Sequence, residues 1–121
     1  MGEPGACPCG SGGSYDACCG PLHTGATQAA TPEQLMRSRY AAFALGEAGY
    51  LLSTWHPRTR PPELRLDTGL HWLSLQVVEA AGAEVEFIAR YRGPNGRGFL
   101  RERSRFARQG GRWFYLDGRQ P

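Results

Sequence analysis

Apolar residues follow two different periods along the chain. Between residues 31 and 46 they recur every three or four positions, with Met36, Tyr40 and Phe43 on one face. This spacing predicts an amphipathic helix whose apolar stripe faces the core. Beyond about residue 71 the apolar and polar positions alternate instead, which is typical of strands with one buried face. The pattern therefore predicts helices first and a sheet afterwards.

The ends of the first long helix are clearly marked. Thr31 is a good capping residue, Pro32 suits the first helical turn, and Gln34 has the capping-box spacing from the threonine. Gly46 is expected to end the helix, because glycine readily adopts the left-handed conformation found after a helix C-terminus. We predict that this helix begins at residue 32 and ends before Gly46.

A second short helix is expected over about 47–55, followed by a proline-rich crossing over 57–66. Pro57 excludes His56 from helical geometry and so ends this helix. Four strands are expected at 72–80, 84–92, 99–108 and 112–117, separated by glycine-rich turns. Consecutive strands with short turns imply an antiparallel meander. The predicted fold class is α+β, with the helices packed on one face of an antiparallel four-stranded or slightly larger sheet.

Length and charge narrow the classes of function. A chain of 121 residues with 40% apolar composition fits one globular domain with a small appendage, and it contains no apolar segment of membrane-spanning length. All fourteen basic residues are arginine. This bias arises either from a GC-rich coding sequence or from an arginine surface that binds phosphate groups. The formal charge of +3 does not decide between them.

The candidate chemistry lies near the N-terminus, in the run C-P-C-G-S-G-G-S-Y-D-A-C-C-G. Cys7, Cys9, Cys18 and Cys19 are the only cysteines of the chain, and a short loop with a thiol pair at each end is typical of a structural zinc site. In both pairs fewer residues separate the two cysteines than the two to four that are usual in zinc fingers. A disulfide within either pair would be strained. A disulfide between the two pairs, or a reactive thiolate, is the alternative to a zinc site. No apolar stretch precedes the run, so we expect reduced thiols and a cytoplasmic location.

The pattern C-x-C-x-S-G-x-x-Y-x-x-C-C-G resembles the SEC-C zinc motif, familiar from the C-terminal tail of the SecA translocation ATPase. Further segments, G-P-L-H-T-G, T-P-E-Q-L-M-R-S-R-Y-A-A-F, T-W-H-P-R-T-R-P and R-W-F-Y-L-D-G, resemble the YchJ family of bacterial proteins. This resemblance implies a structural Zn²⁺ held by the four cysteines. It also implies a cone-shaped domain similar to nuclear transport factor 2, with a cystatin-like curved sheet. The implied organisation is a zinc segment over 1–23, a linker over 24–30 and the cone-shaped domain over 31–121.

The third expected strand has an unusual alternation. Its two faces carry Arg101, Arg103 and Arg105 on one side and Leu100, Glu102, Ser104 and Phe106 on the other. We expect the arginines to face solvent, so that Glu102 and Ser104 point toward the helices and into the implied cone. A buried carboxylate requires a partner. The candidate partners of Glu102 are His56, Arg37, Arg39 and His71.

These residues define a candidate ligand pocket. Its expected members are Arg37, Tyr40, Trp55, His56, Trp72, Glu102 and Ser104. Glu102 with His56 could act as a general acid and base, or the pair could be a structural ion pair that closes the cone. We expect the aromatic residues Trp72, Trp113 and Tyr115 to pack in the sheet and not to stack on bases. His23 is expected near the metal site or in solvent, without binding the metal.

Three functional hypotheses follow. The first is a non-catalytic binding or adaptor protein, in which the zinc segment contacts a protein or ribosomal partner and the cone-shaped domain binds a ligand or forms a homodimer. The second is a small-molecule lyase, isomerase or hydrolase that uses Glu102 and His56. The third is a nucleic-acid-binding protein that uses Arg101, Arg103 and Arg105. The closed character of a four-cysteine site favours the first.

Overall fold

A computed structural model describes residues 5–121 of the chain. The elements in chain order are a 3₁₀ turn (Tyr15–Ala17), helices α1 (Gly20–His23), α2 (Pro32–Leu45) and α3 (Ala48–Ser53), and strands β1 (His71–Ala81), β2 (Glu84–Gly93), β3 (Gly96–Gln109) and β4 (Arg112–Arg119). The α+β class and the four expected strands are confirmed. None of the helices in the described part of the chain combines the length and hydrophobicity that a membrane crossing requires.

The expected limits of α2 are also confirmed. The Thr31 hydroxyl accepts a hydrogen bond from the Gln34 backbone N–H at 3.1 Å. The Gln34 side chain accepts one from the backbone N–H of Ala30 at 2.6 Å, one residue before the cap. At the other end Gly46 has φ 79°, a left-handed conformation that favours glycine. Local sequence chemistry therefore fixes where α2 begins and ends.

The sheet is an antiparallel meander in the order β1-β2-β3-β4. The segment that follows α3 covers the outer edge of β4. There the His56 N–H donates to the Tyr115 carbonyl, and the Tyr115 N–H donates to the Thr54 carbonyl, both at 2.8 Å. These bonds satisfy backbone groups that an open edge would expose, and they fix the end of α3 against the sheet.

The main core lies between α2 and the inner face of the sheet. Its buried residues are Leu35, Met36, Tyr40, Val85, Phe87, Ala89 and Phe106. The prediction that the whole stripe of α2 is core is wrong for Phe43, which is 37% exposed. Phe43 lies in the last turns of α2 beside Trp72, with ring centres 6.4 Å apart, at a place where helix and sheet do not close on each other.

Candidate functional site

The four cysteines converge on one point. All four Sγ atoms lie within 4.8 Å of one another. Cys9 Sγ is 3.6 Å from Cys18 Sγ, which is 3.9 Å from Cys19 Sγ. Cys7, Cys9 and Cys19 are buried, and no disulfide joins any of the four. The cluster is therefore a reduced four-sulfur site that could hold a metal ion.

The glycine-rich loop between the two cysteine pairs reverses the chain so that they meet. The Cys7 N–H donates to the Gly13 carbonyl at 3.0 Å, and the Gly10 N–H donates to the Cys7 carbonyl at 3.2 Å. Gly10 and Gly12 have φ of 77° and 91°, which side-chain-bearing residues rarely adopt. The close approach of the two cysteine pairs in space thus depends on the glycines in the loop that connects them.

The sulfur atoms influence one another's protonation. The hydrogen bond from Cys19, the largest effect, lowers the pKa of the Cys9 thiol to about 4. The same bond, followed by burial, raises the pKa of Cys19. Burial raises the pKa of Cys7, against an opposing effect of the backbone N–H groups of Cys9 and Cys19. Hydrogen bonding within the cluster thus favours the thiolate form of Cys9, and the thiolate is the form that binds metals.

The cysteine loop is attached to α2 by a charged side chain. Arg37 Nη1 donates to the Cys9 carbonyl at 2.9 Å, while its Nε donates to Glu33 at 3.0 Å. Ala41, one turn further along the helix, is fully buried against the cysteines. The face of α2 that carries Arg37 and Ala41 thus packs against the cysteine site.

His23 makes a second link between the loop and the helices. Its Nε2 lies 2.8 Å from the Ser38 carbonyl, and its Nδ1 lies 2.7 Å from the Tyr15 hydroxyl. Because a carbonyl only accepts, Nε2 carries the proton and Nδ1 accepts from Tyr15. The ring also packs against Tyr50, with centres 4.6 Å apart. His23 therefore joins three elements and lies outside the four-sulfur cluster.

A cavity of about 190 Å³ lies between α2 and the inner face of the sheet, on a different face of the helix from the cysteines. Five of the residues expected in the pocket line it, namely Tyr40, Trp55, Trp72, Glu102 and Ser104. Phe43 lines it as well and marks its opening to solvent. Nε1 of Trp55 is buried and finds no hydrogen-bond acceptor among the described residues.

Two expected pocket residues lie elsewhere. Arg37 is one position after Met36, and a step of one residue turns a helix by about 100°, which directs Arg37 to the cysteine loop. His56 packs on Phe114 with ring centres 6.0 Å apart, and its Nδ1 accepts from the Arg58 N–H. Neighbouring strand residues face opposite sides of a sheet, so this places His56 away from Tyr115 and the cavity.

Glu102 finds hydroxyl partners and not the expected cation. Its Oε2 accepts hydrogen bonds from Ser104 Oγ at 2.7 Å and from the Tyr115 hydroxyl at 3.3 Å. The proposed pairing of Glu102 with His56 is absent from the described residues, since the His56 ring packs on Phe114 and its Nδ1 accepts from the Arg58 N–H. His71 is exposed at the start of β1. Glu102 and His56 are thus not placed to act together as a general acid and base.

Arg39 is the cavity residue whose importance the sequence showed least clearly. It is only 6% exposed, and its Nη1 donates to the Leu51 carbonyl and to the Thr54 hydroxyl, both at 2.7 Å. The guanidinium carbon lies 4.5 Å from the centre of the Tyr115 ring and 5.1 Å from that of Trp55. Burial lowers the pKa of Arg39 to about 10, so it stays cationic at neutral pH. Its position three residues after Met36 on the buried face was the available signal.

The outer face of the sheet carries the arginines of β3 in ion pairs. Arg105 binds both carboxylate oxygens of Asp117 at 2.6 Å, and Arg101 pairs with Glu86. Arg103 pairs with Glu79, Glu84 and Glu86. The side chain of Arg103 lies on the outer face as expected, and it is only 17% exposed because these carboxylates surround it. Carboxylates from β1, β2 and β4 balance much of the positive charge.

Comparison with known proteins agrees with this architecture. Residues 31–118 match the family model described as the YchJ middle domain, similar to nuclear transport factor 2. A UPF0225 protein of Deinococcus radiodurans is 57% identical over 92% of this chain and 86% of its own length. A UPF0225 protein of Streptomyces coelicolor is 51% identical over 93% of each.

Two solved structures share the fold. The solution structure of a SEC-C motif containing protein from Rhodopseudomonas palustris is 40% identical, with a TM-score of 0.83 over 95% of this chain and 98% of that one. The crystal structure of a SEC-C motif containing protein from Psychrobacter arcticus is 26% identical, with a TM-score of 0.74 over 92% of this chain and 80% of that one. On these similarities the chain belongs to the YchJ-like UPF0225 family of SEC-C motif proteins.

Proposed function

We propose that the four cysteines hold a structural zinc ion. Zinc bound by four thiolates at about 2.3 Å in a tetrahedron separates the sulfurs by about 3.8 Å. The distances from Cys18 Sγ to those of Cys9 and Cys19, 3.6 and 3.9 Å, agree with this spacing. Four protein ligands leave no position for a reacting water, so the ion would stabilise the loop without catalysing a reaction. This sulfur geometry is the observation that carries the proposal.

The protein then acts as a non-catalytic binding or adaptor module in the cytoplasm. We define the zinc knob as residues 5–23. Hydrogen bonds from the Arg37 side chain to the Cys9 carbonyl and from the His23 side chain to the Ser38 carbonyl hold the knob in one orientation on α2. Residues 10–14 of its loop are exposed. A small rigid surface of this kind suits recognition of a protein or ribosomal partner. The metal would supply the stability that so short a segment cannot gain from a core.

The geometry gives less support to the other two functions. The enzyme hypothesis loses its general acid and base pair, because His56 lies outside the cavity that contains Glu102. The nucleic-acid hypothesis depends on free arginines on β3, whereas Arg103 and Arg105 are bound to carboxylates. The cavity remains, and it supports a role of the larger domain in binding a ligand.

Zinc analysis tests the metal part of the proposal. Reduced, metal-replete protein should contain one zinc ion per chain, and Cys9→Ser should lower this content. Chelation should change the NMR signals of residues 5–22 and leave those of β2 and β3 nearly unchanged. A content well below one ion per chain, or unchanged N-terminal signals after chelation, would contradict a structural zinc ion.

Co-purification tests the recognition part. Asp16 is exposed on the zinc knob, and Glu63 is exposed on the proline-rich crossing, with a side chain 76% accessible. Proteins that bind the full chain through the knob should be lost with Asp16→Arg and retained with Glu63→Arg. Equal retention by both variants would place recognition elsewhere.

A further inference from the structure

The cavity contains two opposite charges that do not neutralise each other by contact. Arg39 and Glu102 both line it, and no ion pair joins them in the described part of the chain. Most of the remaining wall is apolar or aromatic, including Tyr40, Trp72 and Phe87. Charged groups in such surroundings are costly unless their hydrogen-bonding capacity is used. The cavity therefore combines a largely apolar wall with two charged groups, Arg39 and Glu102.

Each charged group has bonding capacity that the protein does not use. Arg39 donates to protein acceptors only through Nη1, so Nε and Nη2 make no hydrogen bond within the described residues. Glu102 accepts only through Oε2, so Oε1 has no donor there. One group offers N–H donors and the other offers an acceptor oxygen. A molecule that satisfies both needs an acceptor and a donor of its own.

The charge balance indicates that this molecule is neutral. Arg39 contributes a positive charge to the cavity and Glu102 a negative one, so an added anion or cation would leave one buried charge in excess. The size indicates a single ring. A cavity of about 150 Å³ accommodates benzene, so about 190 Å³ accommodates a six-membered ring with one small polar substituent. The aromatic walls favour a flat ring.

We propose that the cavity binds a small, neutral, ring-containing amide, whose carbonyl accepts from Arg39 and whose N–H donates to Glu102. This inference rests on the proposed role of the larger domain as a binding module and does not depend on the zinc ion. It assigns that role a ligand class. Catalysis is not required of either charged residue.

Three nearly isosteric probes separate the alternatives. Benzamide is neutral with both a donor and an acceptor, benzoate is an anion, and benzamidine is a cation. Each is titrated at neutral pH into the full-length, zinc-loaded protein, and the indole N–H signal of Trp55 in the cavity wall is followed by NMR. We expect benzamide to bind at least tenfold more tightly than either ion. Tighter or equal binding of an ion overturns the ligand class, and no binding of any probe at millimolar concentration overturns the site.

A charge-removing variant provides the second test. Glu102→Gln keeps the shape of the side chain and leaves Arg39 as the only charge in the cavity, so it should shift the preference from benzamide toward benzoate by about tenfold. The matched control is Glu79→Gln, because Glu79 is a 58% exposed carboxylate on the outer face of the sheet. An unchanged preference in Glu102→Gln contradicts the proposal. Zinc content measured on the same samples distinguishes this failure from a failure of the metal site.

Discussion

Gly118 leaves the space in which the Glu102 carboxylate lies. A Cβ at position 118 would overlap the carboxylate and would lie 2.8 Å from Glu102 Cγ. Gly118 is opposite Ser104 in the pairing of β3 with β4, and Ser104 donates to Glu102. The position of the Glu102 carboxylate thus depends on a glycine in the neighbouring strand.

Gly118→Ala should therefore destabilise the protein. The displaced carboxylate would lose its hydrogen bonds from Ser104 and Tyr115, at a cost of about 1–3 kcal/mol in the free energy of unfolding. Chemical denaturation measures this change. Gly49→Ala is the control, since a Cβ there meets nothing within 4 Å and the residue lies inside α3. The control should be neutral or stabilising by up to about 1 kcal/mol, and an equally stable Gly118→Ala would contradict the account.

The bond from Arg37 to the Cys9 carbonyl should support metal binding. Arg37→Met removes the donor that holds the first cysteine pair against α2, and we expect about a tenfold loss of zinc affinity in competition with a chelator. Glu33→Gln removes only the ion pair of Arg37 with Glu33 and keeps the bond to Cys9. This control should bind zinc as the unaltered protein does. Similar losses in both variants would show that the ion pair, and not the carbonyl contact, is responsible.

His23 should determine how firmly the zinc knob is attached. His23→Phe keeps a ring against Tyr50 but leaves the Ser38 carbonyl and the Tyr15 hydroxyl without this partner, which should cost about 1–3 kcal/mol. In this variant, hydrogen exchange in residues 5–23 should be faster than in the unaltered protein, whereas exchange in β2 should not change. His71→Phe, at an exposed position, should leave exchange unchanged. Unaltered exchange in His23→Phe would mean that the metal loop alone holds the knob in place.

The carboxylates of the outer sheet face should make stability depend on acid pH. Hydrogen bonds from Arg103 and Arg101 lower the pKa values of Glu84 and Glu86 respectively. Carboxyl groups with a lowered folded-state pKa stabilise the protein above their ordinary pKa, about 4.3, and this contribution is lost as the pH falls through the folded-state value. Urea unfolding at pH 7 and pH 3 should therefore show a smaller difference for Arg103→Gln than for the unaltered protein.

A surface ion pair provides the control for this pH effect. Arg65 and Glu63 are 3.8 Å apart with side chains 89% and 76% exposed, so the pair should contribute little. Arg65→Gln should keep the full difference between pH 7 and pH 3. If Arg103→Gln also keeps it, the outer ion pairs do not carry the acid dependence.

Much of the fold follows from local sequence signals. Thr31 and Gly46 mark the ends of α2, and the alternation of β3 correctly separates the arginine face from the face of Glu102 and Ser104, because both depend on backbone geometry that neighbouring residues determine. The convergence of the four cysteines is similarly local, since they lie within one short loop.

The cavity was only partly predictable, because its residues come from distant parts of the chain. His56 and Glu102 are both polar residues in plausible positions, yet the parallel pairing of Trp55 with Tyr115 places the following histidine against Phe114 and outside the cavity. Arg37 and Arg39 are two residues apart on one helix, and only the packing of α2 between loop and sheet separates their roles.

The sequence by itself thus determined the limits of α2, the meander and the cysteine loop, where the interacting groups are close in the chain or repeat with the period of one element. Tertiary structure decided which polar residues share the cavity and which partners they have. A side chain's environment depends on how whole elements pack, and a difference of one residue moves it to another face of its helix or strand. For that reason Arg39 and Glu102 both line one cavity, whereas Arg37 and His56 do not line it.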